Sequence, residues 1–215
     1  MLFAHPVSPG SYHNALWRLS GIPASIIQGL AETMGSYYVP YNLFLAIIAF
    51  LPGQPWIYIA GFSIICDYVC AFYIYLIAKT ITEEHGIATS KATFAALAVL
   101  LIPASILNGA LWKQCDSVYT CFVIISIYYS LKKKFNRSFL MLGIGFIFKL
   151  QAIYVLPVFI ILYILREKEL RIFHFLWLPV MYLIGGLPAV LAGRRVLDVY
   201  DVYYHQASYE GFNAM

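Results

Sequence analysis

A short stretch of mixed polar side chains lies between two apolar runs, at residues 108–116 with the sequence Asn-Gly-Ala-Leu-Trp-Lys-Gln-Cys-Asp. Ionisable groups beside hydrocarbon persist mainly where they line a cavity. Trp112 and Gln114 suit a sugar ring, through stacking and hydrogen bonds, and Lys113 can meet a phosphate. Asp116 can orient a hydroxyl group or hold a divalent cation. The stretch therefore predicts a binding or catalytic site, against the alternative of an ordinary polar loop.

A second polar pair, Lys149 and Gln151, interrupts the long apolar stretch from 139 to 165. An ammonium group flanked by apolar side chains needs an anionic partner or water. A lipid phosphate is one candidate partner. The alternatives are a structural ion pair with Asp116 or Asp67, or extension of the side chain to the membrane surface.

Asp67 lies near the middle of the apolar run 56–78, with Ser63 and Cys70 on the same helical face. An aspartate at the centre of a bilayer costs about 2.5–3.5 kcal/mol on insertion scales. It must therefore be neutral, paired or next to water. We favour a hydrogen bond between helices over a catalytic role.

Charged residues also follow the last apolar run, where Arg194 and Arg195 precede His205. They could bind a phosphate head group, or the arginines could simply anchor a helix end, where cations offset its negative dipole. We favour the anchor.

The composition indicates an integral membrane protein, because 62% of the 215 residues are hydrophobic and 11% are charged. The mean hydropathy of +0.77 agrees with this class. A net charge of +4 without a basic, aromatic-rich stripe argues against nucleic-acid binding. The four cysteines have no zinc-site spacing and are interpreted as packing thiols, and no metal-ligand set is predicted.

Apolar runs predict an all-α, polytopic transmembrane helix bundle with interfacial and half-depth helices. A span needs about 20 apolar residues, and only some of the runs reach that length. The run 41–51, bounded by two prolines, is predicted to lie at the membrane surface. The predicted organisation is an outer loop region, an interfacial helix, the bundle and an outer segment, at residues 1–40, 41–52, 53–193 and 194–215.

Basic residues concentrate in three loops, 79–91, 132–137 and 166–171. If all three are cytoplasmic, the segment 138–165 must enter the membrane and return on the same side. This predicts a hairpin with Lys149 and Gln151 at its tip, pointing to the outer face. We also expect the sequence at 136–138 to cap a helix start and Gly193 to end the last helix.

Five motifs together resemble bacterial polytopic glycosyltransferases of the GT-C class, most of all the relatives of GPI mannosyltransferase II. They are Ser36-Tyr-Tyr-Val-Pro-Tyr-Asn42, Ser63-Ile-Ile-Cys-Asp-Tyr68, Asn108-Gly-Ala-Leu-Trp-Lys-Gln-Cys-Asp-Ser117, Phe146-Ile-Phe-Lys-Leu-Gln151 and Gly185-Gly-Leu-Pro-Ala-Val-Leu-Ala-Gly193. The resemblance implies a GT-C-type bundle in the bacterial cytoplasmic membrane, with its active face outward. It implies an inverting transfer, mannosyltransferase-like, from a polyprenyl-phosphate-linked sugar to an acceptor.

The same resemblance implies roles for single residues. Lys149, with Arg194 or Arg195, would face the lipid phosphate, and Trp112, Gln114 and Asp116 would lie near the sugar or the acceptor. Gln151 is also assigned to substrate binding. Asp67, Lys113 and His205 are second-tier candidates for the site.

One family feature is missing, because these enzymes carry a base aspartate in the first outer loop and this chain has no aspartate before Asp67. We therefore expect a fragment of a longer enzyme, whose remainder would be a partner. The alternative is a non-catalytic subunit that binds or transports polyprenyl phosphate or a sugar lipid. A purely structural subunit would leave Trp112, Gln114, Asp116 and Lys149 scattered, and an approach of Lys149 to Asp116 within a shared outer cavity would count against it.

Overall fold

The computed structural model describes residues 30, 37–49, 51–86, 88–107, 116–165, 167–204 and 208. Within these ranges the chain is helical and no strand occurs, which confirms the all-α prediction. The α-helices are α1 Val39–Ile48, α2 Pro55–Glu84, α3 Ser90–Leu100, α4 Pro103–Ile106, α5 Asp116–Leu131, α6 Phe135–Phe148, α7 Leu156–Ile164, α8 Trp177–Leu191 and α9 Val196–Tyr200. Two 3₁₀ segments, Leu150–Val155 and Ile172–Leu176, precede α7 and α8.

The chain divides into two compact units, and the boundary falls within α8. The first unit comprises residues 1–55 and 183–215, and the second comprises residues 56–182.

The longest helix, α2, has 30 residues, and at about 1.5 Å per residue it is longer than the hydrocarbon layer is thick. It extends beyond the predicted run 56–78, because Lys79 and Glu83 continue the helix as an exposed ion pair one turn apart. It and the segment Ile172–Leu191 are the described helices long and apolar enough to cross a membrane. Much of α2 exposes large apolar side chains, as a lipid-facing helix does.

The proline-bounded run near residue 40 forms α1, which has 10 residues and ends before Pro52. A helix of this length covers about 15 Å, half of a bilayer core. The predicted position of α1 at the membrane surface stays a prediction.

Helices α5 and α6 pack against each other in an antiparallel pair. Ser138 lies on α6 and donates a hydrogen bond to the backbone oxygen of Ser126 on α5, at 2.8 Å. Both serine side chains are fully buried. The pair brings the start of α5 and the end of α6 to one end of the second unit.

The segment after α6 folds back along it. Phe139 and Phe159 lie ten residues before and after Lys149, and their ring centroids are 4.7 Å apart. A single kinked span would hold these rings far apart, so the two halves form the predicted hairpin, with Lys149 at its tip. Lys133 and Glu167, at the other end, join loops 132–137 and 166–171 by an ion pair of 3.3 Å.

The predicted helix caps have different outcomes. Gly193 ends α8 with φ +96°, and its N–H and that of Arg194 return to backbone oxygens of the last turn, which confirms the prediction. The capping role of residues 136–138 is wrong, because α6 already begins at Phe135. Asn136 instead accepts a hydrogen bond from the indole of Trp177.

Gly145 allows α5 and α6 to approach closely. A Cβ atom there would lie 3.2 Å from the backbone oxygen of Tyr119 and 3.3 Å from Cβ of Phe122. We expect Gly145→Val to lower the free energy of unfolding by about 1–3 kcal/mol, because overpacking forces the helices apart. Thermal unfolding in detergent would measure the change.

Gly61 provides the matched control for this variant. A Cβ atom at Gly61 meets nothing within 4 Å, although this residue also lies inside a long apolar helix. Gly61→Val should therefore leave the melting temperature close to that of the parent chain. Equal melting temperatures for the two variants would contradict the close approach at Gly145.

Candidate functional site

The ammonium group of Lys149 donates a hydrogen bond to Oδ1 of Asp116, and the two form an ion pair. Each side chain is 24% exposed. Lys149 follows the last residue of α6 in an extended conformation, with φ −155° and ψ 132°. The break in the helix thus presents the lysine at the hairpin tip.

The helix ends explain why these two charges meet. Asp116 occupies the first turn of α5, where the positive end of the helix dipole stabilises a carboxylate. Lys149 follows the end of α6, where the dipole is negative and favours a cation. Because α5 and α6 are antiparallel, the start of α5, which favours a carboxylate, lies beside the end of α6, which favours a cation.

Two neighbours of the pair were not identified from the sequence. Nζ of Lys149 lies 5.6 Å from the ring centroid of Tyr119, within the range of a cation–π interaction. The spacing of three residues from Asp116 to Tyr119 places both on one face of α5, and this signal could have identified the tyrosine. Ser117, which is buried, lies close to the carboxylate of Asp67 and interacts with it.

The contact between Asp67 and Ser117 ties α2 to the start of α5. The interhelical hydrogen bond that the sequence analysis favoured for Asp67 stays a prediction, as does a catalytic role. Residues from α2, α5 and the tip after α6 therefore surround a single polar site at one end of the second unit.

A family model described as dolichyl-phosphate-mannose-protein mannosyltransferase matches residues 39–192. The chain belongs to this family. No curated protein and no solved structure matches it. Membership confirms the resemblance to GT-C enzymes and makes the chain an integral membrane glycosyltransferase of the mannosyltransferase type. The matched range includes Asp67, Asp116 and Lys149.

Gln151 adds an unusual feature to this mannosyltransferase-like chain. Its Oε1 atom is buried and accepts no hydrogen bond from the residues that the structure describes. An unsatisfied buried acceptor costs about 1–3 kcal/mol. Gln151 is two residues from Lys149 in the sequence, and its Oε1 atom is therefore a candidate acceptor beside the ion pair.

Four predicted site residues lie outside the described residues: Trp112, Lys113, Gln114 and His205. Their positions near the sugar or acceptor therefore stay predictions. The ion pair of Lys149 with Asp116 is the structural partner that the sequence analysis gave as one alternative for this lysine. That the two residues also share an outer cavity stays a prediction.

The two arginines belong to the first unit and differ in environment. Arg194 is 8% exposed, and its guanidinium donates to the backbone oxygen of Asp198 at 2.8 Å. Its Nε atom is buried and has no hydrogen-bond acceptor among the described residues. Arg195 is exposed and immediately precedes α9. The favoured role of helix anchor and the binding of a phosphate both stay predictions for these arginines.

The described residues offer no group of three His, Cys, Asp or Glu side chains that could hold a metal ion. Three of the four cysteines, Cys66, Cys70 and Cys121, are described, and all three are buried free thiols. They pack in an apolar cluster between α2 and α5.

Proposed function

We propose that this family member transfers a hexose, most simply mannose, from a polyprenyl-phosphate carrier to an acceptor hydroxyl. The transfer takes place at the end of the second unit where Asp116 and Lys149 meet. The ion pair between these two residues is the observation that carries the proposal. The cation and the carboxylate lie side by side, each with a side chain that is 24% exposed.

The two charges match the demands of the reaction. The acceptor oxygen attacks C1 of the sugar, and the bond from C1 to the phosphate oxygen breaks with inversion. The leaving lipid phosphate needs no strong acid, but the ammonium group of Lys149 stabilises its growing negative charge. Asp116 takes the proton of the acceptor hydroxyl as general base once the donor phosphate attracts Lys149.

Gln151 suits recognition of the transferred sugar. Its buried Oε1 can accept a hydrogen bond from a sugar hydroxyl, which supplies the donor that the described part of the chain does not provide. Sites that hydrogen-bond a substrate hydroxyl reject analogues that lack it. In this proposal Trp112 stacks on the sugar and Gln114 forms hydrogen bonds with it.

The distribution of charge supports an outward-facing site in a bacterial cytoplasmic membrane. Loops 132–137 and 166–171 meet at the end of the second unit that is opposite to Lys149. Basic loops of this kind remain in the cytoplasm. The end that bears Lys149 then faces outward, where a polyprenyl-linked donor and an acceptor would meet.

A second candidate function is binding of a polyprenyl phosphate or sugar lipid without turnover. It is favoured by the ion pair itself, since Lys149 already engages Asp116, the carboxylate that would otherwise serve as base. Such a subunit would use the same cation for the lipid phosphate and would need no base.

Both candidates can be tested with the chain reconstituted in lipid nanodiscs and supplied with radiolabelled polyprenyl-phosphate mannose or GDP-mannose. We expect saturable binding of the lipid-linked donor alone, and release of polyprenyl phosphate when an acceptor is added. Binding without release would favour the second candidate. Binding of GDP-mannose instead, or of neither donor, would overturn the proposal.

Gln151→Ala refines this test. We expect it to weaken binding of polyprenyl-phosphate mannose about tenfold, the value of one hydrogen bond to a buried acceptor, and to leave binding of polyprenyl phosphate unchanged. Lys79→Ala serves as the control, because Lys79 forms an exposed ion pair on a different segment. Equal loss for both lipids would remove Gln151 from the sugar site.

A further inference from the structure

A cleft with basic walls lies at the end of the second unit that is opposite to Lys149. Its volume is about 400 Å³. The residues that line this basic cleft are Lys133, Lys134, Phe135, Asn136, Arg137, Glu169 and His174. They come from two chain segments separated by more than 30 residues, so the cleft is a product of the fold.

The two segments hold the chain's excess of positive charge. Loops 132–137 and 166–171 contain seven Lys and Arg residues against two Glu residues, whereas the whole chain has a net charge of +4. The ion pair of Lys133 with Glu167 joins the loops. The remaining cations are not balanced within these loops, and the cleft therefore favours an anion.

The start of α6 adds a second attraction for an anion. Lys134 is the N-cap of this 14-residue helix and makes no capping hydrogen bond with its side chain, and the first turn contains no acidic residue. Uncapped N–H groups and the positive end of the helix dipole make such a helix start suitable for phosphate. Asn136 and Arg137 of this turn line the cleft.

Apolar side chains beside the cleft indicate its depth in the membrane. The 3₁₀ segment that follows Arg171 exposes Ile172, Phe173 and Leu176, with Phe173 71% exposed. The indole of Trp177 next to them donates a hydrogen bond to Asn136 in the cleft wall. Tryptophan and its neighbours at such a position are typical of the head-group level of a bilayer.

We propose that the basic cleft binds the phosphate head group of an anionic phospholipid from the leaflet on this side. Its cations and the start of α6 bind the phosphate, and the exposed apolar segment 172–176 contacts the acyl chains. A loop whose only role is to set membrane topology needs positive charge and no further feature. A cleft that combines charge, an uncapped helix start and an apolar border matches a lipid with an anionic head group.

The test measures the dissociation constant of a fluorescent phosphatidylglycerol for the whole chain in neutral detergent micelles. The variant Lys134→Gln with Arg137→Gln should weaken binding about 25-fold, since each cation near an anionic lipid contributes about a fivefold factor. The control variant Lys79→Gln with Lys91→Gln also removes two exposed cations, both outside the cleft. It should retain the parent value, and equal loss in both variants would overturn the proposal.

A variant that is expected to bind more tightly gives a result that a folding defect could not imitate. Glu169→Gln removes a negative charge from the cleft wall, and we expect it to tighten phosphatidylglycerol binding about fivefold. Unchanged or weaker binding by a folded Glu169→Gln chain would count against the cleft.

Competition separates the lipid from other ligands. Unlabelled phosphatidylglycerol should displace the probe, whereas phosphatidylcholine and inorganic phosphate at the same concentration should not. Displacement by inorganic phosphate would make the cleft a site for a soluble anion, and displacement by phosphatidylcholine would remove the charge selectivity; either result would overturn the proposal.

Discussion

Lys149→Ala is expected to abolish sugar transfer and to lower the free energy of unfolding by about 3 kcal/mol. The substitution removes the cation from an Asp116 side chain that is only 24% exposed. Breaking a partly buried ion pair from one side costs more than deleting both charges, because the remaining charge keeps its desolvation penalty. Asp116→Asn should have a similar effect on transfer. Thermal unfolding in detergent and release of polyprenyl phosphate would measure the two effects.

The exchange variant Asp116→Lys with Lys149→Asp separates structure from chemistry. It restores a pair of opposite charges and should recover part of the lost free energy of unfolding. The recovery should be incomplete by about 0.3–1 kcal/mol at each helix end, because each helix dipole now faces a charge of its own sign. It should not recover transfer, because the cation and the carboxylate have changed places relative to the donor. Recovered transfer would show that the pair serves the fold alone. Lys79→Ala, in an exposed pair, should change stability by less than about 1 kcal/mol.

Phe139→Ala should destabilise the chain by about 3 kcal/mol, because it opens a cavity that its neighbours cannot fill. Phe139 is fully buried, and the ring centroids of Phe159 and Phe175 are each 4.7 Å from its own. It holds both arms of the hairpin that carries Lys149. We therefore expect transfer to fall together with the melting temperature.

Phe173→Ala is the control, since this side chain is 71% exposed and removing it creates no cavity. It should leave both the melting temperature and transfer close to the parent values. If Phe139→Ala and Phe173→Ala proved equally mild, the packing of the hairpin around Phe139 would be contradicted.

The hairpin could be predicted because charge constrains topology over long distances. Basic loops on both sides of segment 138–165 required it to return to its starting side, and the contact of Phe139 with Phe159 agrees. The partner of Lys149 could not be predicted in the same way. Asp116, Asp67 and a lipid phosphate all remained open, because periodicity within a helix does not reveal which helices are neighbours.

Local sequence patterns gave a wrong prediction of helix capping where a residue distant in the sequence binds the same side chain. Asn136 and Ser138 resemble helix caps in sequence, yet Trp177 and Ser126 bind them instead. Gly193, by contrast, acts through its own backbone conformation and was predicted correctly. The cation–π contact of Tyr119 needed two correct inferences, the face of α5 and the partner of Asp116.

The hairpin also has a consequence for how the protein is made. Its arms, α6 and the segment Leu150–Ile164, have 14 and 15 residues and are each shorter than the about 20 that a translocon reads as one span. We therefore expect the two arms to enter the membrane together, as one paired insertion unit. On this expectation Lys149 meets Asp116 only after both arms have been inserted, so the polar site is completed late in biosynthesis.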